Sequence, residues 1–93
     1  MRKTKEFIKR DIAGEILLVP TGQTAQEFNG MITLQGIGEF IWDHLEEAQN
    51  IDELLDMIQG EYDVDRATAS GDALAFIMQL LRSGMIKPDG KDW

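Results

Sequence analysis

The residues of this chain best suited to chemistry are a histidine beside acids and a pair of closely spaced aspartates. His44 is the only histidine; it follows Asp43 and precedes Glu47 by three residues, a setting that could serve a general base. No nucleophile accompanies it: the chain has no cysteine and no GxSxG, HExxH, P-loop or GxGxxG sequence. A lone helix histidine among carboxylates reads as a solvated surface residue. The second candidate is YDVDRATASGD, where Asp63 and Asp65 match the first two ligand positions of a calcium loop. Ala67 stands where the third ligand should be, Thr68 replaces the glycine, and no glutamate follows at the twelfth position. That segment is expected to cap a helix. The remaining carboxylates are spread over helix outer faces, so the chain is expected to need no metal or cofactor and not to be an enzyme.

The composition allows a fold but narrows the partners. Ninety-three residues with 43% apolar and 28% charged content suit one small domain, residues 1–93. The formal charge of −8 is unevenly placed: Arg2, Lys3, Lys5, Lys9 and Arg10 against Glu6 make the first ten residues +4 and leave −12 for the rest. A body of that sign repels a phosphate backbone, so nucleic acid is not expected as a partner. The longest apolar run of the N-terminal segment, Ile16 to Val19, is too short for a signal core or a membrane span. With no cysteine to form a disulfide, the cytoplasm is the expected compartment.

Three strands and then three helices must position whatever function remains. Phe7 to Ile12 and the run Ile16-Leu17-Leu18-Val19 read as a hairpin through Ala13-Gly14, ended by Pro20. A polar loop at 21–27 leads to Asn29-Gly30, a pair suited to a type I′ turn, and to Met31-Ile32-Thr33-Leu34 as the third strand. From Gly36 the period becomes helical, with Ile37, Phe40, Ile41, Leu45 and Ala48 on one face. Asn50 and Glu53 resemble a capping box opening a second helix that Gly60 is expected to stop. Asp63 or Asp65 caps a third, running to Gly84, with Pro88 barring its resumption. The fold class is α+β, with a winged-helix inventory. Its third helix has only Arg66 and Arg82 to offer DNA, with Asp72 between them, so a DNA-reading function does not follow.

That third helix is more apolar than a small core requires. At 100° per residue from Ile77, Leu74 and Leu81 lie near about +50°, Ala73 and Leu80 near about −50°, Phe76 at about −100° and Met78 at about +100°. The apolar arc is about 200° wide, where about 100° or somewhat more would cover one side of a core. One flank is therefore free for a partner. If Met31 to Leu34 form a sheet edge, their unpaired backbone groups can take an extended peptide, with the helix as the second wall. Five methionines supply adaptable apolar surface.

The ordered set AGEILLVP, NGMITL, GEFIWDHLEE, DELLDMIQGEYDVD and DALAFIMQLLRSGMI, about residues 7 to 86, resembles the PqqD-like proteins, named for the small protein of pyrroloquinoline quinone biosynthesis. The resemblance implies a non-catalytic recognition element with a three-stranded antiparallel sheet and three helices. It would bind the leader of a ribosomally made precursor peptide and present it to a modifying enzyme, often a radical S-adenosylmethionine protein. The leader would add to the third strand at Met31, Ile32, Thr33 and Leu34 and contact Leu74, Ile77, Met78 and Leu81 of the third helix. Charged residues at Ile77 or Met78, or proline at Ile32, should then abolish binding without unfolding the chain. Where many relatives have Leu-Asn before the first helix, this chain has Leu34-Gln35, a weaker cap that predicts a loose joint. Two other readings stay open: an acidic winged-helix regulator acting through protein contacts, and a structural subunit of a larger enzyme. A homodimer swapped at the 21–27 loop is open as well.

Overall fold

The computed structural model describes residues 1–4, 6–24 and 31–89. Its elements are β1 (Arg2–Lys3), β2 (Phe7–Ile12), β3 (Glu15–Pro20), β4 (Ile32–Leu34), α1 (Gly38–His44), α2 (Ile51–Glu61), α3 (Arg66–Arg82) and β5 (Ile86–Lys87). The fold is α+β: a three-stranded antiparallel sheet in the order β2-β3-β4, followed by three helices. A separate two-stranded ladder pairs β1 with β5. The Asn29-Gly30 turn expected from the sequence, and residues 25–27 of the 21–27 loop, lie outside the described residues.

The β2-β3 hairpin turns where expected, on two residues. Ala13 and Gly14 have φ of 54° and 85°, the pair of left-handed residues a type I′ turn requires, and Asp11 Oδ1 accepts the Gly14 N–H at 3.2 Å. Alanine is a poor choice at a left-handed position because its Cβ crowds the following carbonyl. Ala13→Asn is therefore expected to stabilise the chain by about 0.5–1 kcal/mol, read as a higher denaturation midpoint with unchanged slope.

Both long helices start on the side chains that the sequence marks. Asn50 Oδ1 accepts the Glu53 N–H at 2.8 Å, and Asp65 Oδ1 accepts the Thr68 N–H at 2.7 Å. Glu53 reaches back to the Gln49 N–H rather than to that of Asn50, closing a shifted version of the capping box. Gly60 does not stop α2, which runs on to Glu61. The third helix ends at Arg82, two residues earlier than expected, where Gly84 takes φ of 72° and the Met85 N–H bonds back to the Leu80 carbonyl.

The core lies between the sheet and the helices. Leu18, Ile41, Leu45, Leu54, Ile58, Leu80 and Met85 are its largest fully buried side chains, joined by Ile32 and Leu34 from β4. Arg66, the first residue of α3, fixes α3 to α2 by bonding the Asp56 carboxylate at 2.6 Å, Gln59 Oε1 at 2.9 Å and the Asp52 carbonyl at 3.2 Å. Lys9 ties β2 to α1 through Glu39 at 2.8 Å and Asp43 at 2.9 Å. One of the two arginines that a DNA reader would need is thus engaged within the fold.

Candidate functional site

Strand β4 is an edge, and the hydrogen-bond phase shows which of its backbone groups face out. Glu6 O accepts the Thr21 N–H at 3.1 Å, so the pair Glu6 and Thr21 is a bonded one. Bonded and non-bonded pairs alternate along an antiparallel ladder. In the register Phe7↔Pro20, Ile8↔Val19, Lys9↔Leu18 and Arg10↔Leu17, the bonds to β2 therefore come from Val19 and Leu17. Pro20 falls in a non-bonded slot, where its missing N–H costs the β2-β3 ladder nothing. Leu18 and Ile16 must then bond the other way, to Ile32 and Leu34, their register partners in β4. The N–H and C=O of Thr33 are left pointing away from β3, at an edge with no further strand among the described residues.

The side chains of β4 alternate between core and surface. Ile32 and Leu34 are 8% and 6% exposed and belong to the core, while Thr33 and Met31 are exposed. What Ile32 and Leu34 offer at the edge is a firm base beneath a backbone whose outward groups belong to Thr33. Proline at Ile32 would delete a donor to β3, so the expectation that this change spares the fold does not suit the register.

Helix α3 shows which flank of its wide apolar arc is free. Ala69, Ala73 and Leu80 are fully buried and Ile77 is 4% exposed, so the covered side runs from Ile77 toward the Ala73 and Phe76 flank. Leu74, Met78 and Leu81, on the other flank, are 45%, 50% and 37% exposed. Their spacing of four and then three residues makes one stripe about 10 Å long, matching the length of a three-residue strand. Of the four helix residues expected to meet a peptide, three line this open stripe and Ile77 lies beneath it.

The joint between β4 and α1 ties the strand to α3. Gln35 O accepts the Gly38 N–H at 2.9 Å, with φ of 56° at Gly36 and −81° at Ile37, the values of a type II′ turn. No side chain caps α1, so Gln35 contributes a carbonyl and not the cap that asparagine would supply. Gly38 then packs against Phe76 of α3, where an added Cβ would lie 3.7 Å from the ring. Four residues span at most about 14 Å, which bounds the distance from the end of β4 to Gly38 and its contact with Phe76.

His44 Nδ1 lies 2.9 Å from Glu47 and its ring is 4.3 Å from that of Phe40, on the surface of α1. Among the described residues no group of three His, Cys, Asp or Glu side chains could hold a metal. None of their helices is long and apolar enough to cross a membrane.

Two comparisons with known proteins fit this geometry. The family described as coenzyme PQQ synthesis protein D (PqqD) matches residues 14–86. The chain belongs to the PqqD family. No curated protein matches it significantly. Among solved structures, TbiB1 in complex with the TbiA(beta) leader peptide is similar at a TM-score of 0.69 and 26% identity, covering 98% of this chain and 100% of that one. The PqqD match includes β3, β4 and all three helices, and therefore both the open edge and the free stripe.

Two variants expected to abolish binding alone act on the fold instead. Ile77→Asp places a carboxylate in the core and Ile32→Pro removes an internal ladder bond. Each is expected to cost about 3 kcal/mol or more, read as a large drop in the thermal midpoint. Neither can serve as a selective probe of ligand binding.

Proposed function

We propose that this PqqD-family chain is a non-catalytic adaptor that binds the leader of a ribosomally made precursor peptide. The leader adds as a strand at the outer edge of β4, bonded to Thr33, and sets apolar side chains against Leu74, Met78 and Leu81. The adaptor then presents the precursor to a modifying enzyme, a radical S-adenosylmethionine protein on the family resemblance. The observation that carries the reading is the outward Thr33 backbone on a strand anchored by the buried side chains of Ile32 and Leu34. Main-chain pairing supplies affinity without regard to sequence, and apolar contacts on α3 select among extended peptides. TbiB1, with its bound leader, supports the same reading.

The test is a titration of the isotopically labelled chain with synthetic leaders from short reading frames beside its gene, and with binders from a random peptide library. Saturable binding with shifts confined to β4 and α3 is expected. A failure of every peptide to bind, or shifts centred on the exposed face of α2, would overturn the proposal. A swapped homodimer that paired its strands at β4 would occupy the same edge, so leader and dimer would compete.

A further inference from the structure

The free apolar stripe of α3 leads to basic residues at one end of the fold. Arg82 is four residues beyond Met78 and next to Leu81, which places it at the C-terminal rim of the stripe. A turn of three residues later, β5 carries Lys87 directly opposite Arg2 of β1. The neighbouring pair of that ladder, Lys3 and Ile86, faces inward: Ile86 is 2% exposed and Lys3 Nζ sits 4.4 Å above the Trp42 ring. Arg2 and Lys87 therefore share the outward face.

Two of the chain's other cations are held in ion pairs within the fold. Lys9 is engaged by Glu39 and Asp43, and Arg66 by Asp52 and Asp56. Arg2, Arg82 and Lys87 are exposed, with no side-chain ion pair or hydrogen bond among the described residues. Arg82 complements the α3 dipole, which accounts for its sign. The Arg2–Lys87 pair has no such account, because like charges directly opposite in a ladder are destabilising. In a chain of net charge −8, an acidic peptide is repelled by most of the surface and drawn to this end.

Resting on the leader-groove reading above, we infer that the leader carries an aspartate or glutamate just beyond its alternating apolar residues, and that Arg82, with Arg2 and Lys87, receives that carboxylate where the peptide leaves the stripe. Alternating apolar residues engage the stripe and a carboxylate sets the register along it. An extended peptide without the acid would bind more weakly and slide. An acid placed among the apolar positions would be desolvated against Leu74 and Met78 and rejected.

The experiment selects random twelve-residue peptides on the chain at low salt, resynthesises the binders, and titrates them into the wild type, Arg82→Glu and the double variant Arg2→Ala with Lys87→Ala. Expected are an enrichment of Asp or Glu at one side of the apolar pair and about tenfold weaker binding to Arg82→Glu. A smaller loss is expected in the double variant, together with a salt dependence in the wild type that Arg82→Glu lacks. Binders without carboxylate enrichment, or equal affinity for all three proteins, would overturn the inference while leaving the groove intact, as loss of those binders in Thr33→Pro would show. Recovery of no binder at all would instead overturn the groove reading, and this inference with it.

Discussion

Replacing Thr33 with proline is expected to raise the Kd for a leader peptide about tenfold to a hundredfold while the far-UV circular dichroism spectrum and thermal midpoint stay close to wild type. The Thr33 N–H points away from β3, so its loss removes no bond among the described residues of the free chain. In the complex the same change leaves a leader carbonyl without its donor, at a cost of about 1–3 kcal/mol, and puts a ring in the path of the added strand. A complex near ~1 μM has about 8 kcal/mol of binding free energy, so a loss of that size is measurable by calorimetry. Ile32→Pro is the contrasting control: one residue away and on the other hydrogen-bond phase, it should damage the fold.

Met78→Asp is the second large effect. Met78 is 50% exposed at the centre of the free stripe, so the free chain should change in stability by no more than about 0.5 kcal/mol. Closing an apolar leader residue over that carboxylate strips it of water without a partner, and binding should weaken about a hundredfold. Met78→Leu, nearly equal in volume and equally apolar, should stay within a few-fold of wild type. Charge and not shape then accounts for the loss. Leu74→Asp should follow Met78→Asp, whereas Ile77→Asp should reduce the fraction of folded chain before any peptide is added.

The sequence carried most of the elements, because each has a local cause. Ala13-Gly14 specifies a two-residue turn, Asn50 and Asp65 start helices with their own side chains, and the wide arc of α3 marks surplus apolar surface. The missing parts depend on tertiary pairing. Strands β1 and β5 are two residues each and show no periodicity, so only their meeting across the chain defines them. The centre of the α3 arc pointed to Ile77, yet the buried face is shifted toward Ala69 and Ala73. Alanine adds little to a hydrophobic pattern but lets a neighbouring helix approach closely, and α2 packs on that helix. Gly60 carries a breaker signal that the buried apolar face of α2 overrides.

For the site, the residue list was legible and the division of labour within it was not. MITL reads as an edge strand in sequence, but whether Ile32 or Thr33 presents its backbone outward depends on hydrogen-bond phase. That phase is set at the β2-β3 hairpin and passed through β3. The link from β3 to β4 runs through a connection too long to fix a register by turn type. The alternation of buried Ile32 and Leu34 with exposed Thr33 then fits the one register that puts apolar side chains inside. Arg82 was visible as a charge that failed to make a DNA-reading helix; its position at the end of the free stripe needed the helix boundaries and the β1-β5 ladder.

Amide hydrogen exchange resolved to single residues, with and without a saturating leader peptide, tests strand addition at β4 most directly. With strand addition the Ile32 and Leu34 amides are expected to be slow already in the free chain, the Thr33 amide to exchange quickly there, and leader binding to slow Thr33 by an order of magnitude or more. A saturated complex in which Thr33 exchanges as fast as in the free chain would contradict it.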